Sequence, residues 1–383
     1  NGGFLSSSLT HGLANGLARF PRDVRRTLAV ARDNFDGIVR TVERHGIDAD
    51  LRVTGALTVA DRPWTLAGVL EEAALLAEHG EDVVVLDAAA TRAELDSPTY
   101  LGACWHRSGE ATVDPARLAW GLAAAARAAG VRVFEGTRMT GLDRSGAGME
   151  VRTDRGPVRC GAVVLGTNAF RSSVRAVNGR VVPVYDHVLA TEPLSADRLA
   201  SIGWSHRQGV SDAANQFHYY RLTADDRILW GGYDAVFHRG GRIDPSFEQR
   251  PETHHKLALH FFETFPQLEG LRFTHRWGGV IDTSTRFSVG FGTAFDGRVA
   301  YAVGYTGLGV GASRFGARVC LDLLDRPDSE LLTLDLVRRR PVPFPPEPLR
   351  TVGVQLTRRA IARADAREGR RGPWLRLLDA VGL

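Results

Sequence analysis

A glycine-rich segment near the carboxyl end of the chain has the spacing of a phosphate-binding turn. It reads GYTGLGVGASRFG, and Gly307, Gly309 and Ala312 form the motif G-x-G-x-x-A. Glycines at these places let a backbone turn sharply between a strand and a helix and approach a pyrophosphate closely. Asp335 follows at a distance suited to a carboxylate that binds a ribose. A pyridine-nucleotide dehydrogenase that starts at Gly307 is therefore one hypothesis.

The position of this segment argues against a complete nucleotide-binding domain at the carboxyl end. Such a domain needs further strands and helices, yet only about 70 residues follow the segment. They include RRRPVPFPPEP, which cannot continue a sheet because proline lacks the N–H that a ladder needs. A tight strand-to-helix turn that binds no ligand is the plainer alternative for these glycines.

Length and composition predict a globular protein with two domains. The chain has 383 residues, of which 44% are hydrophobic, enough to bury a large core. No run approaches 18 consecutive apolar residues and the first residues lack the pattern of a signal peptide, so we expect no transmembrane segment. The cysteines, Cys104, Cys160 and Cys320, are scattered and fit a reducing compartment. We therefore expect a cytoplasmic protein.

Basic residues are unevenly distributed along the chain. Lys256 is the only lysine and follows His255, so the Gly-Lys-Ser/Thr of a phosphate loop for nucleotide hydrolysis is absent. Residues 338–383 hold eleven arginines and four acidic residues, which gives this tail a charge of about +7. A basic tail can contact nucleic acid or a membrane surface. The alternation of arginines with Ile361 and Trp374 favours a helix that packs on an acidic body instead.

Side chains for hydrolytic or metal-dependent catalysis are not grouped in the sequence. GASRFG lacks the second glycine of a nucleophile elbow. His254, His255 and His260 lack the spacing of metal ligands, and we expect them to be solvated on a helix. We therefore predict no metal site.

Apolar periodicity predicts the main elements. Helices are expected over 21–44, 63–79 and 251–265, with another that begins after Asp114 and ends at Gly130. Strands are expected over 51–60 and 131–136, then as a meander over RMTGLDR, MEVRTDR and PVRC, and as a buried strand over 162–165. Long aromatic strands follow between 181 and 233, with a hairpin tip at 224–226. Since no repeat or long linker separates these parts, we expect interleaved domains.

The order of these blocks, from NGG through VVLGTN and WGG to GYTGLGV, resembles the FAD-dependent amine and amino-acid oxidoreductases of the D-amino-acid oxidase superfamily. The γ-glutamylputrescine oxidoreductase-like members look most similar, and the resemblance extends to about Leu324. It implies an α+β fold in which an α/β nucleotide-binding domain is interleaved with an antiparallel-sheet substrate domain. In this family a first βαβ unit precedes NGG, so we expect an amino-terminally truncated version of the fold.

The resemblance also implies domain boundaries. The FAD-binding domain would comprise 1–50, 106–175 and 276–330, and the substrate domain 51–105 and 176–275. Residues 331–383 would form a basic carboxyl-terminal extension.

The resemblance places a noncovalently bound FAD against several segments. Asn1, Gly2 and Gly3 match the family segment that approaches the flavin and pyrophosphate. Met139 matches the position whose backbone contacts adenine, although a methionine on a strand is ordinarily core packing. Further cofactor contacts are implied for Gly166 and Thr167 in the loop after VVL, and for the late glycine loop, Gly304, Tyr305, Thr306, Gly307, Leu308, Gly309 and Val310. No cysteine lies between Trp277 and Gly304, so we expect no covalent attachment there.

Substrate positioning is predicted for the aromatic sheet. Tyr219 and Arg221 lie on one face of a strand and could offer a hydroxyl and a guanidinium to a carboxylate. A plain sheet-surface pair is the alternative for these two. Trp277, beside two glycines, resembles the family segment next to the flavin, and a core tryptophan is the alternative there.

The resemblance implies an enzyme that oxidises a C–N bond by hydride transfer to flavin N5, which requires positioning more than a strong acid or base. We expect a small amine or amino acid as substrate and no nucleic acid partner. The oligomeric state, the electron acceptor and the choice between oxidase and dehydrogenase stay open. A noncatalytic FAD-binding or interaction module is the rival hypothesis from another class.

Overall fold

The computed structural model describes residues 1–382. Its helices are α1 Leu13–Arg19, α2 Val24–Arg44, α3 Pro63–Glu78, α4 Ala88–Glu94, α5 Pro115–Ala128, α6 Arg175–Asn178, α7 Ala196–Ile202, α8 Pro251–Thr264, α9 Gly309–Asp325, α10 Asp335–Arg338, α11 Leu349–Asp365 and α12 Pro373–Ala380. Its strands are β1 Phe4–Ser6, β2 Ala56–Ala60, β3 Val83–Asp87, β4 Gly102–His106, β5 Glu110–Thr112, β6 Met139–Ser145, β7 Gly148–Thr153, β8 Val158–Cys160, β9 Val163–Leu165, β10 Val181–Thr191, β11 Gly209–Asp212, β12 His218–Leu222, β13 Ile228–Gly232, β14 Phe273–Ser284, β15 Gly290–Ala294 and β16 Val299–Val303.

An eight-stranded sheet dominates the molecule. Its strand order is β14-β10-β13-β12-β11-β2-β4-β3, and neighbours are antiparallel except β11 and β2, which are parallel. One face packs on α8 through a buried aromatic core that includes Trp230, Tyr220, Phe261 and Phe265. Burying each of these rings contributes about 2–3 kcal/mol. This packing leaves the opposite face of the sheet free to line a cavity.

The remaining sheets are small. Strands β15, β16 and β9 form one, in which β16 and β9 run parallel. Strands β6, β7 and β8 form the predicted antiparallel meander. Helix α2 buries Ala31, Phe35, Ile38 and Val42, spaced as one face of a helix, and it packs on α9.

The predicted α+β class with interleaved parts is confirmed. Residues 56–106 and 181–284 join in one sheet, and the chain between them builds the meander and β9. All of β14 lies in the large sheet, including residues 276–284. The domain boundaries themselves stay a prediction.

Local signals predicted most elements correctly, and one strand wrongly. The side chain of Asp114 accepts from the N–H groups of Ala116 and Arg117 and caps α5 as expected. The segment 131–136 is not a strand, because the described residues offer no neighbour that pairs with it. Its apolar side chains are correspondingly exposed, Phe134 at 62%. Strand β9 is only partly buried, since Val164 faces outward.

The carboxyl-terminal extension folds back onto the body. Helix α11 contacts the short turn at Arg239–Gly241, and α12 packs on α11. Among the described residues no helix has both the length and the apolar character needed to cross a lipid bilayer.

Candidate functional site

A cavity of about 1200 Å³ lies between the free face of the large sheet and the glycine-rich segments. The late glycine loop, the amino-terminal half of α2 and the segment NGG, which lies against the sheet, all border it. The sheet contributes alternate residues of β10, namely Val182, Val184, Asp186 and Val188. Pockets for a single small ligand are typically about 300–1000 Å³. This cavity therefore has room for a cofactor and a substrate together.

The NGG segment is held against the sheet by two residues of β12. The Tyr219 ring lies where a side chain on Gly2 would project, since a Cβ there would be 2.3 Å from a ring carbon. Arg221 Nε donates to the Gly2 carbonyl at 2.7 Å. Gly3 has φ of +76°, and a Cβ there would lie 2.1 Å from the Val113 carbonyl oxygen. Only glycine fits at these two positions, so bare backbone borders the cavity.

The late glycine loop joins β16 to α9 and is pinned to β14. Asp282 Oδ2 accepts the Gly304 N–H at 2.5 Å, and Thr306 N–H donates to the Asp282 carbonyl at 3.1 Å. Burial raises the pKa of Asp282 to about 6, although backbone N–H groups of the loop oppose the shift. Gly304 and Gly307 have φ of +83° and +93°, which this tight turn requires.

The loop presents an open helix terminus to the cavity. Helix α9 begins at Gly309 with no side-chain cap, and the flanking Leu308 and Val310 both line the cavity. His11 holds the turn from the other side, since its Nε2 donates to the Thr306 carbonyl at 2.7 Å. Burial lowers the pKa of His11, which favours the neutral ring. The free N–H groups and the helix dipole suit a polar, electron-rich ligand edge.

A half-buried carboxylate and a phenol form the polar centre of the sheet wall. Tyr219 reaches across Gly231 of β13, and its hydroxyl donates to Asp186 Oδ2. Asp186 Oδ1 accepts the N–H of His187 at 2.9 Å. Burial raises the pKa of Asp186, while the Tyr219 and backbone hydrogen bonds oppose the shift. A carboxylate has about four acceptor positions, so Asp186 can still accept an N–H from a ligand in the cavity.

A second acidic group faces the cavity near the amino-terminal strand. Ser6 Oγ donates to Glu110 Oε1 at 2.6 Å, and both residues line the cavity. His106 stands between Glu110 and Glu81, with Nε2 at 3.2 Å from Glu81 Oε2. Burial raises the pKa of Glu110 to about 8. The cavity wall therefore carries carboxyl groups on two sides, which suits a ligand with N–H donors.

The structure brings most of the predicted site residues to this cavity. Those that line it are Asn1, Gly2, Gly3, Tyr219, Trp277, Thr306, Gly307, Leu308 and Val310. Three more, Gly304, Tyr305 and Gly309, belong to the same loop without lining the cavity. Arg221 is 4% exposed and lies behind Gly2, where its guanidinium binds backbone carbonyls.

The other predicted cofactor residues lie apart from the cavity. Met139 packs against the cluster that contains Leu142 and Met149. Gly166 and Thr167 follow β9, and the Thr167 hydroxyl is buried without a hydrogen-bond partner. Their roles stay predictions.

The prediction that the α8 histidines are all solvated was wrong for His254 and only partly right for His260. His255 is exposed, but His254 is 5% exposed and its Nε2 donates to the Trp277 carbonyl at 3.4 Å. His260 Nδ1 is 2.9 Å from His218 Nε2, and His218 Nδ1 is 2.7 Å from Asp212 Oδ2. His254 is buried and His260 is half-buried because α8 packs directly on the sheet. The described residues contain no group of acidic, histidine or cysteine side chains arranged to hold a metal ion.

Sequence reasoning missed the residues that hold the site in shape. Asp186 had a usable signal, because it is the single carboxylate on an otherwise apolar strand face that includes Val184 and Val188. Asp282 and His11 had no such signal in the sequence, because their role depends on contacts with the late glycine loop, which is distant from them in the chain.

An extended cavity between a glycine-lined nucleotide-type turn and an antiparallel sheet is the arrangement of a cofactor-dependent oxidoreductase. Residues 1–323 match the family model described as FAD dependent oxidoreductase (DAO). The chain belongs to this family of FAD-dependent oxidoreductases.

Known proteins agree with this assignment. The chain is 32% identical over 334 residues to gamma-glutamylputrescine oxidoreductase of Escherichia coli (strain K12), covering 86% of this chain and 75% of that protein. Among solved structures, glycine oxidase from Geobacillus kaustophilus has a TM-score of 0.70 at 19% identity, with 82% of this chain and 83% of that one covered. L-proline dehydrogenase from P. horikoshii has a TM-score of 0.69 at 18% identity, with 84% of each chain covered. These two structures share the fold.

The hypothesis of a pyridine-nucleotide domain at Gly307 is therefore wrong. Asp335, its candidate ribose ligand, is 7% exposed and paired with Arg22 and Arg339 at 3.0 and 3.1 Å. No strand follows α9 in the described part of the chain. The Asp335 carboxylate lies in α10, and its partner Arg22 lies just before α2. This ion pair therefore anchors the segment after α9 to the start of α2.

The residues present fit a flavin. A flat ring with a polar edge needs close backbone, free N–H donors and a neighbouring wall that holds substrate. Gly2, Gly3 and Gly307 supply the backbone, and the uncapped start of α9 supplies the donors. Thr27 of α2 lines the same cavity and carries a buried hydroxyl with no partner in the chain. NGG, the late glycine loop and α2 are the segments that would hold the cofactor.

Proposed function

We propose that this chain oxidises a C–N bond of a primary or secondary amine or an amino acid to an imine, which water then hydrolyses. The observation that carries the proposal is the Asp186–Tyr219 pair on the sheet wall of the cavity, beside the NGG segment on which the Tyr219 ring packs. The 32% identity to gamma-glutamylputrescine oxidoreductase supports the same reaction class.

FAD, when bound, supplies the hydride acceptor of this reaction. The chain supplies positioning. Asp186 accepts an N–H of the substrate nitrogen, and the Tyr219 hydroxyl fixes the orientation of that carboxylate. A neutral amine holds the lone pair that assists loss of hydride, and Asp186 in its ionised form can receive a proton from an entering ammonium.

The sheet and the glycine segments keep the reacting carbon in a fixed place. The sheet is a regular element, and the late glycine loop is held by hydrogen bonds from Gly304 to Asp282 and from His11 to Thr306. Preorganisation of this kind contributes several kcal/mol to catalysis in general, because reactants need not be ordered in the transition state.

We further propose a cytoplasmic location and no nucleic acid partner. The three cysteines are free thiols. Arginines of the extension pair with acidic residues of the chain, for example Arg358 with Asp234 and Arg371 with Asp379, which reduces the positive surface available to a polyanion. The substrate is thus a small molecule.

The test is anaerobic reduction of the loaded protein. Protein reconstituted with FAD is mixed under nitrogen with a panel of primary amines, secondary amines and amino acids, and the visible flavin absorbance is recorded. We expect bleaching by at least one nitrogen compound and none by the matching alcohols or hydroxy acids. A protein that binds FAD but is bleached by no amine or amino acid would support the noncatalytic module instead.

A further inference from the structure

The carboxyl-terminal extension contributes a wall to the cavity. The family match ends at residue 323, and α11 lies entirely beyond it. One face of α11 lines the cavity, formed by Arg350, Gly353, Val354, Thr357, Arg358 and Ile361. Their spacing of three and four residues is that of a single helix face. Residues of the opposite face, such as Val352 and Arg359, are exposed.

The wall is fixed to two loops of the large sheet. At one end Asp365 accepts the N–H groups of Asn215 and Gln216, at 3.0 and 2.9 Å, from the loop between β11 and β12. Towards the other end Gln355 Nε2 donates to the Phe237 carbonyl at 2.9 Å, in the segment after β13. Both loops border the cavity, so α11 is fixed along it between them.

The charges on this wall are neutralised within the protein. Arg358 pairs with Asp234 at 3.1 Å, and Arg350 pairs with Glu347 at 2.8 Å. The Thr357 hydroxyl is occupied by the Gly353 carbonyl and the Trp374 ring N–H, and the other large side chains facing the cavity are apolar, namely Phe344, Val354, Ile361, Trp374 and Leu378. An apolar surface of this kind stabilises an apolar ligand group by removing it from water.

We propose that the carboxyl-terminal extension is the specificity-determining wall of the substrate site, and that it selects amines or amino acids with an extended apolar chain. The proposal rests on the function proposed above. The reacting nitrogen lies at Asp186, and the apolar chain lies along α11.

Gly353 gives a direct test. It faces the cavity, and a Cβ built on it meets no atom within 4 Å. Larger side chains at this position would therefore project into the cavity where the substrate chain is proposed to bind. Alanine is a better helix former than glycine, so Gly353→Ala, Gly353→Leu and Gly353→Phe form a graded series that preserves the helix. Ala362→Phe on the exposed face of the same helix is the matched control.

Two probe pairs separate chain length from chemistry: n-butylamine with n-octylamine, and 2-aminobutyrate with 2-aminooctanoate. In the unmodified enzyme we expect kcat/KM to rise with length, by up to about fourfold for each added methylene. Gly353→Leu and Gly353→Phe should lower kcat/KM for the long member at least about tenfold, with the short member within about twofold. The control variant should match the unmodified enzyme.

Three results would contradict the proposal that the extension determines specificity. These are no preference for the longer probe, equal losses on both members of a pair, or bleaching by other amines while neither pair reacts. If Gly353→Phe does not fold by circular dichroism, Gly353→Ala and Ile361→Ala give the same comparison, the second by removing apolar contact. Bleaching by no amine at all is the separate failure of the proposed function.

Discussion

At the scale of single residues, the site depends on how a hydroxyl and a carboxylate share one hydrogen bond. Tyr219 and Tyr220 are neighbours on β12, and their side chains point to opposite faces of the sheet. The first donates to Asp186 in the cavity, and the second pairs with the Tyr100 hydroxyl at 2.5 Å in the core. Equal chemical changes at these two positions therefore separate function from stability.

Tyr219→Phe removes a hydrogen bond that lowers the pKa of Asp186 against the effect of burial. We expect kcat/KM for a reactive amine to fall about 10- to 100-fold, because hydrogen bonds to charged groups are worth about 1.5–3 kcal/mol. The acid limb of the pH profile should move to higher pH, since the pKa of Asp186 rises further. Stopped-flow reduction between pH 5 and 9 measures both effects.

Tyr220→Phe is the matched control for that experiment. It should lower thermal stability and leave the acid limb in place, because its hydroxyl faces the aromatic core. If the two variants shift the profile alike, Asp186 does not act in the way proposed.

The raised pKa of Asp282 should make the stability of the protein depend on pH. The pKa is raised to about 6 in the folded protein, above the ordinary value of 3.8. A raised carboxyl pKa means that its contribution to stability is fully present below about pH 4 and is lost as the pH rises through about 6. The difference corresponds to about 3 kcal/mol. The comparison of unmodified protein with Asp282→Asn isolates this group from other carboxyls.

The measurement is the free energy of unfolding of both proteins from pH 4 to pH 8. The stability of the unmodified protein relative to Asp282→Asn should decline over this range, with most of the change complete by about pH 7. A constant difference between the two proteins would show that Asp282 titrates at its ordinary pKa.

At the scale of elements, a substitution in the late glycine loop would both strain the backbone and change the cavity surface. Comparing two glycines with positive φ, one in the loop and one elsewhere, separates these two effects. Gly307 and Gly297 both have positive φ, at +93° and +84°, and open space where a Cβ would lie. Only Gly307 lines the cavity. Alanine at either position should cost about 1–2 kcal/mol of stability, because L-residues disfavour this conformation.

Only Gly307→Ala should also weaken FAD binding. Its methyl group would occupy the surface at which the loop meets the cofactor, and we expect the Kd to rise about tenfold, or roughly 1.4 kcal/mol. Quenching of flavin fluorescence on titration with protein gives the Kd for both variants. Equal affinities for Gly307→Ala and Gly297→Ala would place the loop away from the bound cofactor.

The elements also mark what the sequence could and could not predict. Helix α2, the cap at Asp114 and the hairpin between β12 and β13 depend on local periodicity and turn residues, so sequence reasoning predicted them. The segment 131–136 alternates like a strand but has no partner among the described residues, and pairing is not encoded locally. The role of Asp186 needed the order of strands, because Tyr219 reaches it across β13. The alternation of arginines with Ile361 and Trp374 indicated a helix packed on the body, but it did not indicate that one face of this helix lines the cavity.

At the scale of the whole molecule, a half-buried acidic residue, Asp234, joins the family core to the extension. Asp234 contacts Arg250 at 3.2 Å, Lys256 at 3.7 Å and Arg358 of α11 at 3.1 Å. Burial opposes ionisation of Asp234, but Lys256, Arg250 and Arg358 outweigh it and hold its pKa below the ordinary value. The carboxylate therefore stays ionised down to acidic pH and ties the extension to the segment after β13.

Asp234→Asn should loosen α11 without unfolding the core. The substitution leaves three cations close together without their shared partner, so local opening of the extension becomes easier. We expect amide hydrogens of α11 to exchange about tenfold faster, equal to roughly 1.4 kcal/mol of local stability, while β10 and α8 keep their protection. Asp197→Asn, at an exposed position in α7, is the control. Unchanged exchange in α11 would mean that Asp365 and Gln355 hold the wall alone, and faster exchange throughout would mean that Asp234 stabilises the whole fold.

The unmodified protein should show the same loosening of α11, but only below about pH 4. A carboxyl group with a lowered pKa confers stability that is lost as the pH falls through that pKa.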